Sequence, residues 1–118
     1  MRLLLPLGPL LALAGCGGNS SNPTPPSACT EIQMQSGDVF NPTPTTVKKG
    51  GCVVFKNTDT DSHNVAKDPS KPQSVQDLSV NTLTPGQSSA PITLNIAGEV
   101  DYLCQIHFGM TGSITVTP

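Results

Sequence analysis

The sequence predicts an all-β fold, a two-sheet sandwich of about eight short strands, and three observations carry that expectation. From Cys29 onward, short runs rich in β-branched and apolar residues are punctuated by turn clusters. No stretch of useful length shows the 3.6-residue periodicity of a helix, and Pro 12 and Gly 11 dilute regular structure throughout. Aromatics are only 3% and Trp is absent, so a core must be built mainly from Val, Ile, Leu and a few Phe. With 118 residues there is room for one small domain and no second core.

Taken in order, the strands expected are these. Thr30 to Gln35 alternates, with Ile32 and Met34 on one face, and ends at the turn Ser36-Gly37-Asp38. Phe40 with its neighbours and Thr45 to Val47 come next, up to Lys48-Lys49-Gly50-Gly51. Cys52 to Asn57 points Val53 and Phe55 one way and meets the turn-rich Asp59-Thr60-Asp61. Ser74 to Val80 precedes the turn Thr84-Pro85-Gly86, and Ala90 to Ile96 sets Ile92, Leu94 and Ile96 on one face before Ala97-Gly98-Glu99. Val100 to Cys104 and Gly112 to Thr117, the latter with Ile114 and Val116 aligned, complete the set. A core this small often needs a crosslink or a metal, and four Cys make either available.

Upstream of the domain the chain reads as an export signal: Arg2, then the apolar run Leu3 to Leu13, then the small residues Ala14 and Gly15. The run is too short to span a bilayer, and Pro6 and Pro9 weaken it as a permanent helix. Leu13-Ala14-Gly15-Cys16 resembles the lipobox of bacterial lipoproteins, an ordinary secretory signal with a stray Cys being the alternative. The resemblance implies a signal peptide over residues 1–15 and Cys16 as the lipidated first mature residue, held in a membrane by several acyl chains. Gly17 rather than Asp comes after the Cys, which favours the periplasmic face of an outer membrane if two membranes are present. Residues 16–28 then form a linker: GGNSSNPTPPSA has the composition of a disordered tether and extends at most about 40 Å.

Formal net charge is -2 with the one Arg in the signal, which argues against a nucleic-acid partner. The chemistry gathers near the C-terminus in Tyr102-Leu103-Cys104-Gln105-Ile106-His107-Phe108-Gly109-Met110. Here a thiolate, an imidazole and a thioether stand as C-x2-H-x2-M, so one loop between two strands can supply three ligands. A second imidazole, His63, lies upstream in Ser62-His63-Asn64-Val65, and these are the chain's only two His. Taken singly, Cys104 reads as a small buried hydrophobe, Met110 as core filler and a His as a solvated loop residue. Taken together, two imidazoles, a thiolate and a weak axial thioether are the ligand set of a blue-copper site. Zinc accepts the same His and Cys, but the thioether favours copper.

The stretch from Phe40 to Pro118 resembles the cupredoxins, the family of plastocyanin, amicyanin and pseudoazurin. The likeness runs through Val47-Lys48-Lys49-Gly50, Val53-Val54-Phe55-Lys56-Asn57-Thr58-Asp59, Ser62-His63-Asn64-Val65, the Cys104 to Met110 loop, whose ligand spacing is that of amicyanin, and Gly112-Ser113-Ile114-Thr115-Val116. It implies a Greek-key sandwich over residues 29–118 with one type 1 copper on His63, Cys104, His107 and Met110, and Asn64 bracing the ligand loops. The family often has Pro where this chain has Ile106. Pro has no N–H, so Ile106 gains a donor, expected to join the Asn64 N–H in pointing at the Cys104 sulfur. With Cys16 assigned to lipid and Cys104 to copper, Cys29 and Cys52 remain. In a cupredoxin the strands they open run side by side and parallel, so a disulfide is expected, two free thiols being the alternative.

The function expected from these features is that of a monomeric, exported carrier of single electrons that docks transiently with a redox donor and acceptor near His107. Copper sequestration or delivery is the alternative, although the usual Met-rich or His-rich tract is missing. Catalysis at further coppers would require more His than the two present, so no enzyme is expected.

Overall fold

The structure, a computed structural model, describes residues 28–118. The expected signal peptide, Cys16 and nearly all of the linker lie outside these residues. Among the described residues there are nine strands: β1 (Thr30–Gln35), β2 (Val39–Asn41), β3 (Thr45–Lys48), β4 (Cys52–Asn57), β5 (His63–Lys67), β6 (Val80–Leu83), β7 (Ile92–Thr93), β8 (Gly98–Leu103) and β9 (Thr111–Thr117). They form one sheet in the order β2-β1-β4-β7 and a second in the order β3-β9-β8-β5-β6. The predicted all-β two-sheet sandwich is therefore observed. β1 runs parallel to β4 from Thr30↔Val53 to Met34↔Asn57, and β8 pairs antiparallel with β9 from Gly98↔Val116 to Leu103↔Thr111.

Alternation sets the core. Ile32, Met34, Val53, Phe55, Ile114 and Val116 are buried, while their strand neighbours face outward or lie half-buried. Phe40, Phe55 and Tyr102 meet edge-to-face with ring centroids 4.8 to 5.9 Å apart, each pair adding about 0.5–1.5 kcal/mol beyond burial. Tyr102 faces Gly112 across β8 and β9, where a Cβ would come within 2.5 Å of the phenol oxygen, so the ring occupies the room that a side chain would need. Cys29 and Cys52 form the expected disulfide, with Cα atoms 4.7 Å apart, where β1 and β4 start side by side.

Three elements differ from the sequence reading. β5 starts at His63, where the sequence signals only a turn, because Asp59-Thr60-Asp61-Ser62 masks the short alternating run behind it. Ser74 to Val80 is not a strand; the strand lies over Val80–Leu83. Ser74 instead donates its N–H to Lys71 O and its hydroxyl to Gln76 O, and the segment is tied to β8 by Val75 N–H to Glu99 O and by Asp101 N–H to Ser74 Oγ. Of Ala90 to Ile96 only Ile92–Thr93 pairs, with β4. Leu94 is buried but exchanges hydrogen bonds with the Gly50-Gly51 turn, and Ile96 is half-exposed rather than on the core face.

Candidate metal centre

The site forms at one end of the sandwich, where β5 begins with His63, β8 runs out at Leu103 into Cys104, and β9 starts just after Met110. The loop is closed on itself: Cys104 N–H donates to Met110 O at 2.9 Å and Met110 N–H to His107 O at 3.3 Å. Gly109, with φ +84, supplies the left-handed residue that lets the chain turn back within so few residues. Of the four sequence-predicted ligands, His63, Cys104 and His107 bring their donor atoms within 4.8 Å of one another, and Met110 closes the same loop. His63, Cys104 and Met110 are buried, and the His107 side chain is 21% exposed.

Cys104 Sγ lies 3.9 Å from His63 Nδ1 and 3.9 Å from His107 Nδ1. The two imidazole centroids are 4.6 Å apart. A metal with bonds of about 2.0–2.1 Å to nitrogen and about 2.3 Å to sulfur, at trigonal angles, separates its N and S donors by about 3.8 Å, so the cradle fits one ion. The thiol is free, since the other two described Cys are bridged to each other. A soft sulfur between two imidazoles selects copper over the hard, oxygen-seeking cations.

Asn64 braces the ligand loops. Its N–H reaches Cys104 Sγ at 3.5 Å, its Oδ1 accepts from Gln105 N–H at 2.8 Å, and its Nδ2 donates to Gln105 Oε1 at 3.0 Å. The β5 ligand and the loop ligands are thus fastened together. Ile106 is a correction: its N–H makes no hydrogen bond to the sulfur. The bracing of Gln105 by Asn64 fixes the turn so that Ile106 faces outward, half-exposed.

Two acidic residues at the site were not anticipated. Asp59 Oδ2 lies 2.9 Å from His63 Nε2, with both side chains buried, while its Oδ1 accepts from Thr60 N–H at 2.7 Å. The bond to His63, and then that to Thr60, holds the Asp59 carboxyl below the usual carboxylate range. With Nε2–H given to the carboxylate, Nδ1 is the nitrogen left for the metal, and the ring is fixed in aim. Fully buried Asn57 holds Asp59 in turn, accepting its N–H at 2.8 Å and donating to Asp61 O and Leu83 O. The second is Asp38, whose Oδ1 lies 3.8 Å from His107 Nδ1. Asp59 stands four residues before His63 in a run of turn formers, and nothing in the spacing separates a brace from a turn residue. Asp38 is distant in sequence and carries no signal at all.

A sequence model of copper binding proteins, plastocyanin/azurin family, matches residues 28–117. None of the curated proteins matches the chain. Among solved structures, a novel purple cupredoxin from Nitrosopumilus maritimus superposes with a TM-score of 0.66 at 20% identity, over 75% of this chain and 99% of that one. The oxidised state of an amicyanin mutant gives 0.64 at 24%, over 76% and 83%. A copper-containing nitrite reductase from Thermus scotoductus gives 0.68 at 23%, over 89% of this chain but only 27% of that one. At these identities the likeness establishes a shared fold.

Proposed function

The chain belongs to the plastocyanin/azurin family of copper-binding proteins, and from that premise we propose that it carries single electrons between extracytoplasmic redox partners through one type 1 copper. The observation that carries this reading is the closed donor set: His63, Cys104 and His107 converge at 3.9 Å about a free thiol, and Met110 is buried at the end of the same loop. Copper, when bound, supplies the one-electron couple. The chain's own residues supply rigidity: Asp59 fixes His63, Asn64 pins the ligand loop to β5, and the Cys104–Met110 backbone bond closes that loop. Ligands held this firmly keep rearrangement small when an electron arrives or leaves.

His63, Cys104, His107 and Met110 would together fill the positions around a bound copper, whereas a catalytic metal keeps one open. This supports a carrier and not an enzyme, and the nitrite reductase aligns over only 27% of its length. His107 is the ligand nearest solvent, beside fully exposed Phe108 and half-exposed Ile106. That apolar rim suits a transient, low-area contact with a donor or acceptor. The domain is read as a monomer, anchored through lipid on Cys16 and a tether to the periplasmic face of an outer membrane, or to the cell membrane where there is only one.

Loading the full-length chain with copper(II) and recording its visible and electron-paramagnetic spectra tests the proposal. Intense absorption toward the red and a reversible midpoint potential are expected. A colourless protein with axial, type 2 parameters would sink it. Copper sequestration or delivery predicts instead ready metal exchange and a high preference for copper(I).

A further inference from the structure

Two carboxylates stand on the imidazole side of the centre, and orienting His63 accounts for only one of them. The other, Asp38, comes from the hairpin between β1 and β2, in the sheet that contributes no ligand. Gly37 and Asp38 both have left-handed backbone, φ 90 and φ 59, so the hairpin tip folds tightly and delivers this side chain to the site. Its Oδ1 is 3.8 Å from His107 Nδ1, the nitrogen that also lies 3.9 Å from Cys104 Sγ. One ligand atom each from Asp38, Asp59 and His63 also fall within 4.8 Å of one another. The group that closes around Cys104 contains His63 and His107 but not Asp38.

We propose that Asp38 is a tuning residue of the copper centre: together with Asp59 it sets negative charge against the two imidazole ligands, stabilises the oxidised metal, and holds the midpoint potential below what the four ligands alone would give. The inference rests on the type 1 copper reading. Copper(II) with one thiolate leaves a positive centre and copper(I) a neutral one. A fixed negative charge beside them therefore favours the oxidised form. The left-handed turn accounts for a short polar residue at this position, which Asn would fill equally; the negative charge has as its ion-pair partner within 4 Å among the described residues the His107 nitrogen that would hold the metal. Because the Asp38 side chain is 45% exposed, its influence is partly screened by water and salt.

The test is the midpoint potential of the copper-loaded full-length chain against Asp38→Asn, which keeps size and tolerates a positive φ as Asp does. Asp38→Gly removes the side chain but keeps the turn. Both should retain the blue band in place and shift the couple toward copper(I) by about threefold or more, a rise of about 30 mV at 59 mV per tenfold. The rise should shrink as ionic strength increases, which a purely structural role for Asp38 would not produce. Glu31→Gln, at the far end of β1, should leave the potential where it is. If both Asp38 variants are blue with an unchanged or lower potential, the proposal is overturned while the carrier reading stands. Loss of the band in both, with the parent blue, overturns it too, since Asp38 would then build the site and not tune it. A parent chain that is never blue fails at the reading beneath.

Discussion

Cys104 sulfur has two imidazole nitrogens at 3.9 Å and one backbone N–H at 3.5 Å, and every one of these neighbours suits a thiolate bound to metal. Cys104→Ser should abolish the visible charge-transfer band, because an alcohol gives no copper–thiolate bond. Met110→Leu should keep the colour and shift the potential, since the axial thioether is weak and tunes. Retention of the band in the Cys104 variant would locate the ligand on another thiolate. Ile106→Pro separates the two N–H groups that the sequence suggests for the sulfur. Only Asn64 donates there, so the substitution should leave the midpoint potential nearly unmoved. A hydrogen bond worth a net ~1 kcal/mol would count for about 40 mV, and a fall of that size on voltammetry would show that Ile106 does reach the sulfur. At this scale the ligands were legible because thiolate, thioether and the only imidazoles are scarce and their roles specific. Asp38 and Asp59 were not, because carboxylates are ordinary in turns and only the folded chain sets them beside an imidazole.

Among the elements, β1 and β4 carry both the core alternation and the crosslink. They run parallel with Ile32 beside Phe55, and Cys29 joins Cys52 where both strands start. A loop of sequence separation 23 is closed by this bond, which contributes about 3 kcal/mol in the chain-entropy model. The double variant Cys29→Ser with Cys52→Ser, melted without copper so that metal binding does not mask the loss, should therefore unfold roughly 12–24 °C lower at about 4–8 °C per kcal/mol. A drop of only a few degrees would mean that the β1–β4 ladder holds the strands together by itself. Strands with clean alternation, β1, β4 and β9, were legible nearly to their ends. β5 was hidden because it is short, begins on a ligand and carries a bulge between His63 and Val65, so its polar lead-in outweighed its pattern. Ser74 to Ser79 misled in the opposite direction: its Val and Leu do pack inward, but the Ser74 hydroxyl takes Gln76 O and only Val75 N–H bonds to the β8 backbone, so no ladder forms.

For the molecule as a whole, the direction of β1 sets the chain's entry point apart from the site. The chain enters the domain at Cys29 and reaches the Asp38 hairpin, beside His107, only after the six residues of β1. At about 3.3 Å per residue that places the entry point about 20 Å from the metal-binding end. An attachment through residues 16–28 would hold the domain by the end remote from His107 and leave the Phe108 face free to meet partners. Lipid and metal should then be separable. Cys16→Ser is expected to move the protein from the membrane fraction to the soluble fraction and to block processing of the signal, because no acyl chains remain to hold it. Its copper spectrum and midpoint potential should match those of the parent, since His63, Cys104, His107 and Met110 are all retained. Immunoblotting of separated membrane and soluble fractions, together with the mass of the mature N-terminus, decides the first point and spectroscopy the second. Retention in the membrane would refute lipidation at Cys16, and an altered blue band would show that the entry segment reaches the site after all.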